Sequence, residues 1–131
     1  MPFTLYWDGQ GIVKRLSGFV TAREFMESAG ASLSHPRFDE AQYVINDFSD
    51  ATGLDIDEAA TEYVAVLRLG ASASKRHLRV IYVSGDPVVH SFVARLGSPP
   101  FDCSWETRVF ATLPEAEEWL SRQPRLSRNL A

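Results

Sequence analysis

The sequence predicts an α/β domain with one five-stranded, mainly parallel sheet, an N-terminal β-hairpin and four main helices. Three observations carry that expectation. Segments with apolar residues at every second position alternate with segments whose apolar residues recur at helical spacing. Each expected helix opens on a capping residue. The 131 residues, 45% hydrophobic and 23% charged, suit one domain with one ordinary core. Strands that alternate with helices after an opening hairpin pair mainly in parallel.

Phe3, Leu5 and Trp7 share one face of a first strand, and Asp8-Gly9-Gln10-Gly11 has turn composition. Ile12 to Leu16 resumes an extended pattern and closes the hairpin. Thr21 and Glu24 fit a capping box, with Val20 and Phe25 placed as its hydrophobic staple. Phe25, Met26, Ala29 and Leu33 continue at helical spacing to the Ser34-His35-Pro36 breaker. Gln42 to Phe48 is rich in β-branched and aromatic residues and reads as a strand, followed by a loop over Ser49 to Gly53. Asp55 is placed to cap a second helix with Glu58 at the third position; Ile56, Ala59, Ala60, Tyr63, Val64 and Leu67 form its stripe and Gly70 its end. Leu78 to Val83 is apolar on both faces apart from Arg79, which places it inside the sheet. Asp86-Pro87 opens a third helix striped by Val88, Val89, Phe92, Val93 and Leu96. Trp105, Thr107 and Val109 alternate with charged residues as in a strand near an edge. Thr112 and Glu115 frame the last helix, with Ala116, Trp119 and Leu120 inward. The domain is expected over residues 1–123, with 124–131 a basic, mobile tail.

Thirteen Lys and Arg against seventeen Asp and Glu give a net charge of −4, which argues against a nucleic-acid binder. A single cysteine, Cys103, excludes an internal disulfide and cysteine-based metal sites, and points to a reducing cytoplasm. No apolar run approaches the roughly 18 residues of a membrane span. The charge is segregated. Eight acidic residues and no Lys or Arg lie between Phe38 and Leu67, and five basic residues face only Asp86 between Arg68 and Arg95. The segregation reads either as ordinary solvated faces or as two complementary patches that steer a partner or a second copy.

Tyr43-Val-Ile-Asn-Asp-Phe-Ser49 before the second helix, and Val109-Phe-Ala-Thr-Leu-Pro-Glu-Ala-Glu-Glu-Trp-Leu120 at the end, resemble the SpoIIAA-like (STAS) domains of anti-anti-sigma factors and transporter tails. His35-Pro-Arg-Phe-Asp39 is similar to the bacterial, mostly uncharacterised SpoIIAA-like branch, which resembles lipid-binding Sec14-type domains. The resemblance implies a module that works by docking to partners. The family's switch is a phosphorylatable serine in a double-serine loop opening the second helix. Here Asp50-Ala-Thr-Gly-Leu-Asp-Ile-Asp57 lacks the double serine, Thr52 is the remaining acceptor, and the surrounding carboxylates repel phosphate.

Ligands of open α/β sheets bind beyond the carboxyl ends of the strands. That rule selects Asp47, Ser49, Asp50, Thr52, Asp55 and Asp57, flanked by Ser84 and Asp86, as the docking surface for a protein partner of basic character. No catalytic residue, metal or cofactor is expected. A Ser–His–Asp hydrolase drawn from Ser49 or Ser84, His90 and Asp47 lacks a nucleophile elbow and stands as a remote alternative. His35, His77 and His90 have no ligand spacing, and Cys103 reads as a packing thiol. The nearer alternative is a carrier or sensor of a lipid-like or other apolar small molecule, held among Tyr63, Phe92, Trp7 and Trp105. The aromatic first strand lacks lysine and proline, so at a sheet edge it invites a homodimer.

Overall fold

The computed structural model describes residues 3–127. β1 (Phe3–Trp7) and β2 (Ile12–Val20) form the hairpin, antiparallel, with Trp7 opposite Ile12 and Phe3 opposite Leu16. Asp8 shapes the turn: its Oδ1 accepts from the backbone N–H groups of Gln10 and Gly11, each at 2.9 Å. Gly11 is dictated by close approach, because a Cβ there would stand 2.6 Å from the Tyr43 carbonyl oxygen. Then follow α1 (Ala22–Leu33), a short 3-10 turn at Phe38–Glu40, β3 (Tyr43–Leu54), α2 (Glu58–Ser74), β4 (Arg79–Val83), α3 (Pro87–Leu96), β5 (Glu106–Phe110) and α4 (Leu113–Ser121).

The sheet runs β1-β2-β3-β4-β5, and every pairing after the hairpin is parallel. Each crossover therefore steps one strand along in the same direction, and crossovers of one hand lay their helices on one face. On that face Phe25, Val64, Val89, Phe92 and Leu96 pack on Ile12, Leu16, Val44, Phe48, Val80 and Tyr82. The opposite face is covered by α4, where Ala116, Trp119 and Leu120 meet Val13, Ile45, Ile81 and Val83. The architecture is the one expected, with β4 inside the sheet and β1 and β5 at its edges.

Four boundaries differ from expectation. β2 does not stop at Leu16 but runs to Val20, through two register shifts and Gly18 at φ +67°. Ser49 to Gly53 is strand rather than loop: Ser17, Gly18, Phe19 and Val20 of β2 pair with Asp50, Ala51, Gly53 and Leu54. A turn-like composition is overridden here because the prolonged β2 supplies hydrogen-bond partners, and the Phe19 ring lies over Gly53. α2 is capped by Asp57, not Asp55, with the Asp57 side chain accepting from Ala60 N at 2.8 Å. It also continues past Gly70 to Ser74, since one exposed helical glycine costs only about 1 kcal/mol against a long packed helix.

The inward face of α2 is also rotated. Ala60, Thr61, Val64, Ala65 and Arg68 are buried, whereas Tyr63, expected inside, is 46% exposed beside an exposed Val66. A helix with Val64, Ala65 and Val66 in succession offers apolar residues all round, so periodicity alone does not choose its face. Met26, Ile56, Leu67, Trp119 and Leu120 are partly rather than fully buried. Beyond Gln123, Pro124 O accepts from Arg79 Nη1 at 2.8 Å and Leu126 N donates to Gln42 Oε1 at 2.6 Å. Residues 128–131 of the segment expected as a tail lie outside the described residues.

Candidate functional site

At the carboxyl end of the sheet, Asp47 is buried and accepts from Ser49 N at 2.9 Å and Ser49 Oγ at 2.5 Å. Asp50 and Thr52 are exposed on the prolonged part of β3, so Thr52 sits on a strand and not at a helix N-terminus. Asp55 is exposed in the following connection, where its N–H donates to Val20 O at 2.9 Å. Asp57 caps α2 and Asp86 caps α3, accepting from Val88 N at 2.9 Å. Ser84 is buried, and its hydroxyl accepts from Asp86 N at 3.0 Å.

Between the two helix starts lies a groove of about 370 Å³ floored by Ile56, Val88 and Phe92, with Val88 41% exposed. One wall is an ion pair: both Arg95 terminal nitrogens reach the Glu58 carboxylate, at 2.6 and 2.7 Å. That hydrogen bonding holds Glu58 below the usual carboxylate range and Arg95 above its own ordinary value. The pair leaves Asp50, Asp55, Asp57 and Asp86 as acidic charge at this end.

The hydrolase geometry does not assemble. The Ser49 hydroxyl is bonded to Asp47, and His90 Nε2 donates to the Ser84 carbonyl oxygen at 2.9 Å rather than meeting a serine hydroxyl. Among the described residues, no three His, Cys, Asp or Glu side chains group as a metal site, and no helix is long and apolar enough to cross a membrane.

The four aromatic residues expected around an apolar pocket are not brought together. Phe92 is core, edge-on to Phe25 and Tyr82, while Tyr63 faces outward. Trp7 stacks on His35 and under Arg37. Trp105 is buried over Phe38 and donates to the Lys75 carbonyl at 2.6 Å. The basic stretch from Arg68 to Arg95 is no exposed patch either, since Arg68, Lys75 and Arg79 are buried and Arg95 is taken by Glu58.

A cluster that the sequence reading did not single out lies under α1 and α2. Lys14, Asn46 and Tyr82 stand in register on β2, β3 and β4, forming one polar row across the helix-covered face. Lys14 is 3% exposed; its ammonium donates to Ser28 O at 3.0 Å and approaches Ser28 Oγ at 3.5 Å. Burial brings its pKa down to about 7. Arg68, 4% exposed, descends from α2 with Nη2 donating to Thr107 Oγ1 at 2.6 Å and approaching Cys103 Sγ at 3.7 Å. Its Nε and Nη1 are buried without a hydrogen-bond acceptor. Burial pushes the Tyr82 hydroxyl above its ordinary value, against the opposing pull of Arg68. The signal was present in the sequence: Lys14 shares parity with Ile12 and Leu16, and Asn46 with Val44 and Phe48.

A cleft of about 600 Å³ lies on the opposite face beside α4, where the sheet is only partly covered. Several of its polar groups are satisfied locally. Arg79 pairs with Glu106 at 3.3 Å, Arg15 lies over the Tyr6 ring, and the Tyr43 hydroxyl donates to Asp8. Burial first, and then the bond to Asp8, pushes that hydroxyl well above tyrosine's ordinary value.

No protein-family model and no curated protein matches the chain. Among solved structures it is similar to the anti-sigma factor antagonist SpoIIAA in its unphosphorylated form. The TM-score is 0.60 at 18% identity, over 92% of this chain and 99% of that one. An uncharacterised DUF3478-family protein with a SpoIIAA-like fold from Shewanella loihica PV-4 aligns at TM-score 0.47 and 17% identity, over 90% of this chain and 91% of that one. The chain has the SpoIIAA-like α/β fold.

Proposed function

We propose that the protein is a non-catalytic interaction module that docks a partner at the carboxyl end of its sheet. The observation that carries this reading is the groove between the starts of α2 and α3: an apolar floor at Ile56, Val88 and Phe92 edged by Asp57 and by the Glu58–Arg95 ion pair. Small apolar contacts set in a charged rim suit a protein surface better than a reaction, and the adjoining strand extension widens the contact. The likeness to an anti-sigma factor antagonist, a protein named for acting on another regulator, points the same way. With Asp50, Asp55 and Asp57 uncompensated at this end, the partner surface is basic and presents an apolar residue to Val88. A single thiol suits work in the reducing cytoplasm.

The test is affinity capture followed by calorimetry with the identified partner. Asp50→Asn with Asp57→Asn, which keeps a capping side chain, should weaken binding and flatten its salt dependence. Val88→Glu should abolish it. Capture that survives all three changes, while Tyr63→Ala releases a co-purifying apolar molecule, would favour the carrier reading instead.

A further inference from the structure

The buried cluster under α1 and α2 is a site of a different kind from the docking groove. Lys14 and Arg68 line one cavity of about 40 Å³ together with Asn46, Tyr82 and Trp105, and no Asp or Glu lines it. Two basic side chains therefore share one buried space with no carboxylate lining it to neutralise either. A guanidinium does not escape by losing its proton, so Arg68 stays charged. The face of Trp105, 5.6 Å from its central carbon, the Thr107 hydroxyl and the nearby Tyr82 hydroxyl satisfy it in part. Nε and Nη1 are still buried without a well-formed hydrogen bond. A buried charge left in that condition is among the costlier arrangements a small domain can carry. A core built only for stability would place an apolar residue at both positions.

We propose that this cavity binds a small organic carboxylate, its head group between Arg68 and Lys14 and its alkyl part against Leu33 and Leu67.

The choice of ligand follows from the walls. Apart from Ser32, whose hydroxyl donates to Ser28 O, the remaining lining is apolar, including Ala29, Leu33, Val64 and Leu67, which disfavours a strongly hydrated tetrahedral dianion. A space of about 40 Å³ exceeds what a single water needs and matches a planar head group of a few atoms. Unpaired donors on Arg68 and the Lys14 ammonium supply charge-assisted hydrogen bonds to such a head group. Leu33 and Leu67 are only partly buried, so the alkyl part leaves between α1 and α2. A free short-chain acid and the head of a fatty acid offer the same chemistry here. The volume favours the short acid.

The experiment titrates the whole chain with sodium butyrate, sodium dodecanoate and butanol, following the Asn46 side-chain amide and the Trp105 indole N–H by two-dimensional NMR. Saturable shifts with butyrate and none with butanol are expected. Arg68→Met should weaken that binding about tenfold or more, as loss of a charge-assisted contact does. Methionine matches the stem of both cations, and Lys14→Met repeats the test on a second, independent position. The docking variant Asp50→Asn with Asp57→Asn should bind butyrate like the parent chain, so this inference and the docking reading fail separately. Shifts with dodecanoate alone keep the carboxylate site and assign it to a fatty-acid head. Absence of saturable shifts with either acid, equal response to butanol, or unchanged affinity in both methionine variants would overturn the proposal.

Discussion

Lys14 shows how a single residue type overrules a correct geometric rule. Parity on β2 places it inward between Ile12 and Leu16, yet lysine is among the residues least often buried, and that prior hid it. Arg68, four residues after Val64, was hidden in the same way on α2. The burial has a measurable consequence. Above pH 7 the folded chain sheds the Lys14 proton, while the unfolded chain keeps it up to about 10.5. Unfolding then takes up a proton, so stability rises with pH across that window, by up to about 1.4 kcal/mol per unit. Urea denaturation between pH 7 and 9 should show this rise in the parent chain and lose it in Lys14→Met, which should also be the more stable of the two at pH 7. Equal slopes in the two proteins would contradict the assignment.

At the scale of elements, the caps were the most legible feature and the strand ends the least. Thr21, Asp86 and Thr112 all accept from the expected helix N–H groups, because a cap needs only its own neighbours. The start of α2 offered two aspartates two residues apart, and the backbone chose the later one. Asp57→Ala should therefore cost about 1 kcal/mol in urea unfolding, whereas Asp57→Asn should cost much less. Asp55→Ala should lose no cap energy; a penalty there equal to that of Asp57→Ala would be inconsistent with the geometry. The continuation of β3 over Ser49–Leu54 was illegible for a physical reason: its partner is the far end of β2, some thirty residues away in sequence.

For the whole molecule, the two sheet edges are unlike. β5 carries Glu106 and Arg108, paired at 3.1 Å, on its outer strand, and charge of this kind blunts edge-to-edge pairing. β1 presents Thr4 and a 42% exposed Tyr6 instead. We expect a homodimer joined through β1. Light scattering at high micromolar concentration should give twice the chain mass, and Tyr6→Lys should return the monomer; a monomeric parent chain at that concentration would rule it out. The contact of complementary charge patches that the sequence suggested is not available to this dimer, because three of the five basic residues between Arg68 and Arg95 are buried.

The sequence by itself determined the element order, the class of sheet and three of the four helix caps. Each of these rests on spacing within one segment, and local spacing needs no knowledge of what lies across the core. It also determined that Ser84 and Asp86 reach the carboxyl end of the sheet, since they follow β4 wherever that strand lies. Only the tertiary structure decided the rest. The face that α2 turns inward, the length of β3 and the pairing of Glu58 with Arg95 each depend on a partner remote in the chain. The same holds for the cavity shared by Lys14 and Arg68, which α2 closes by laying a charged side chain on a sheet whose polar row comes from three separate strands.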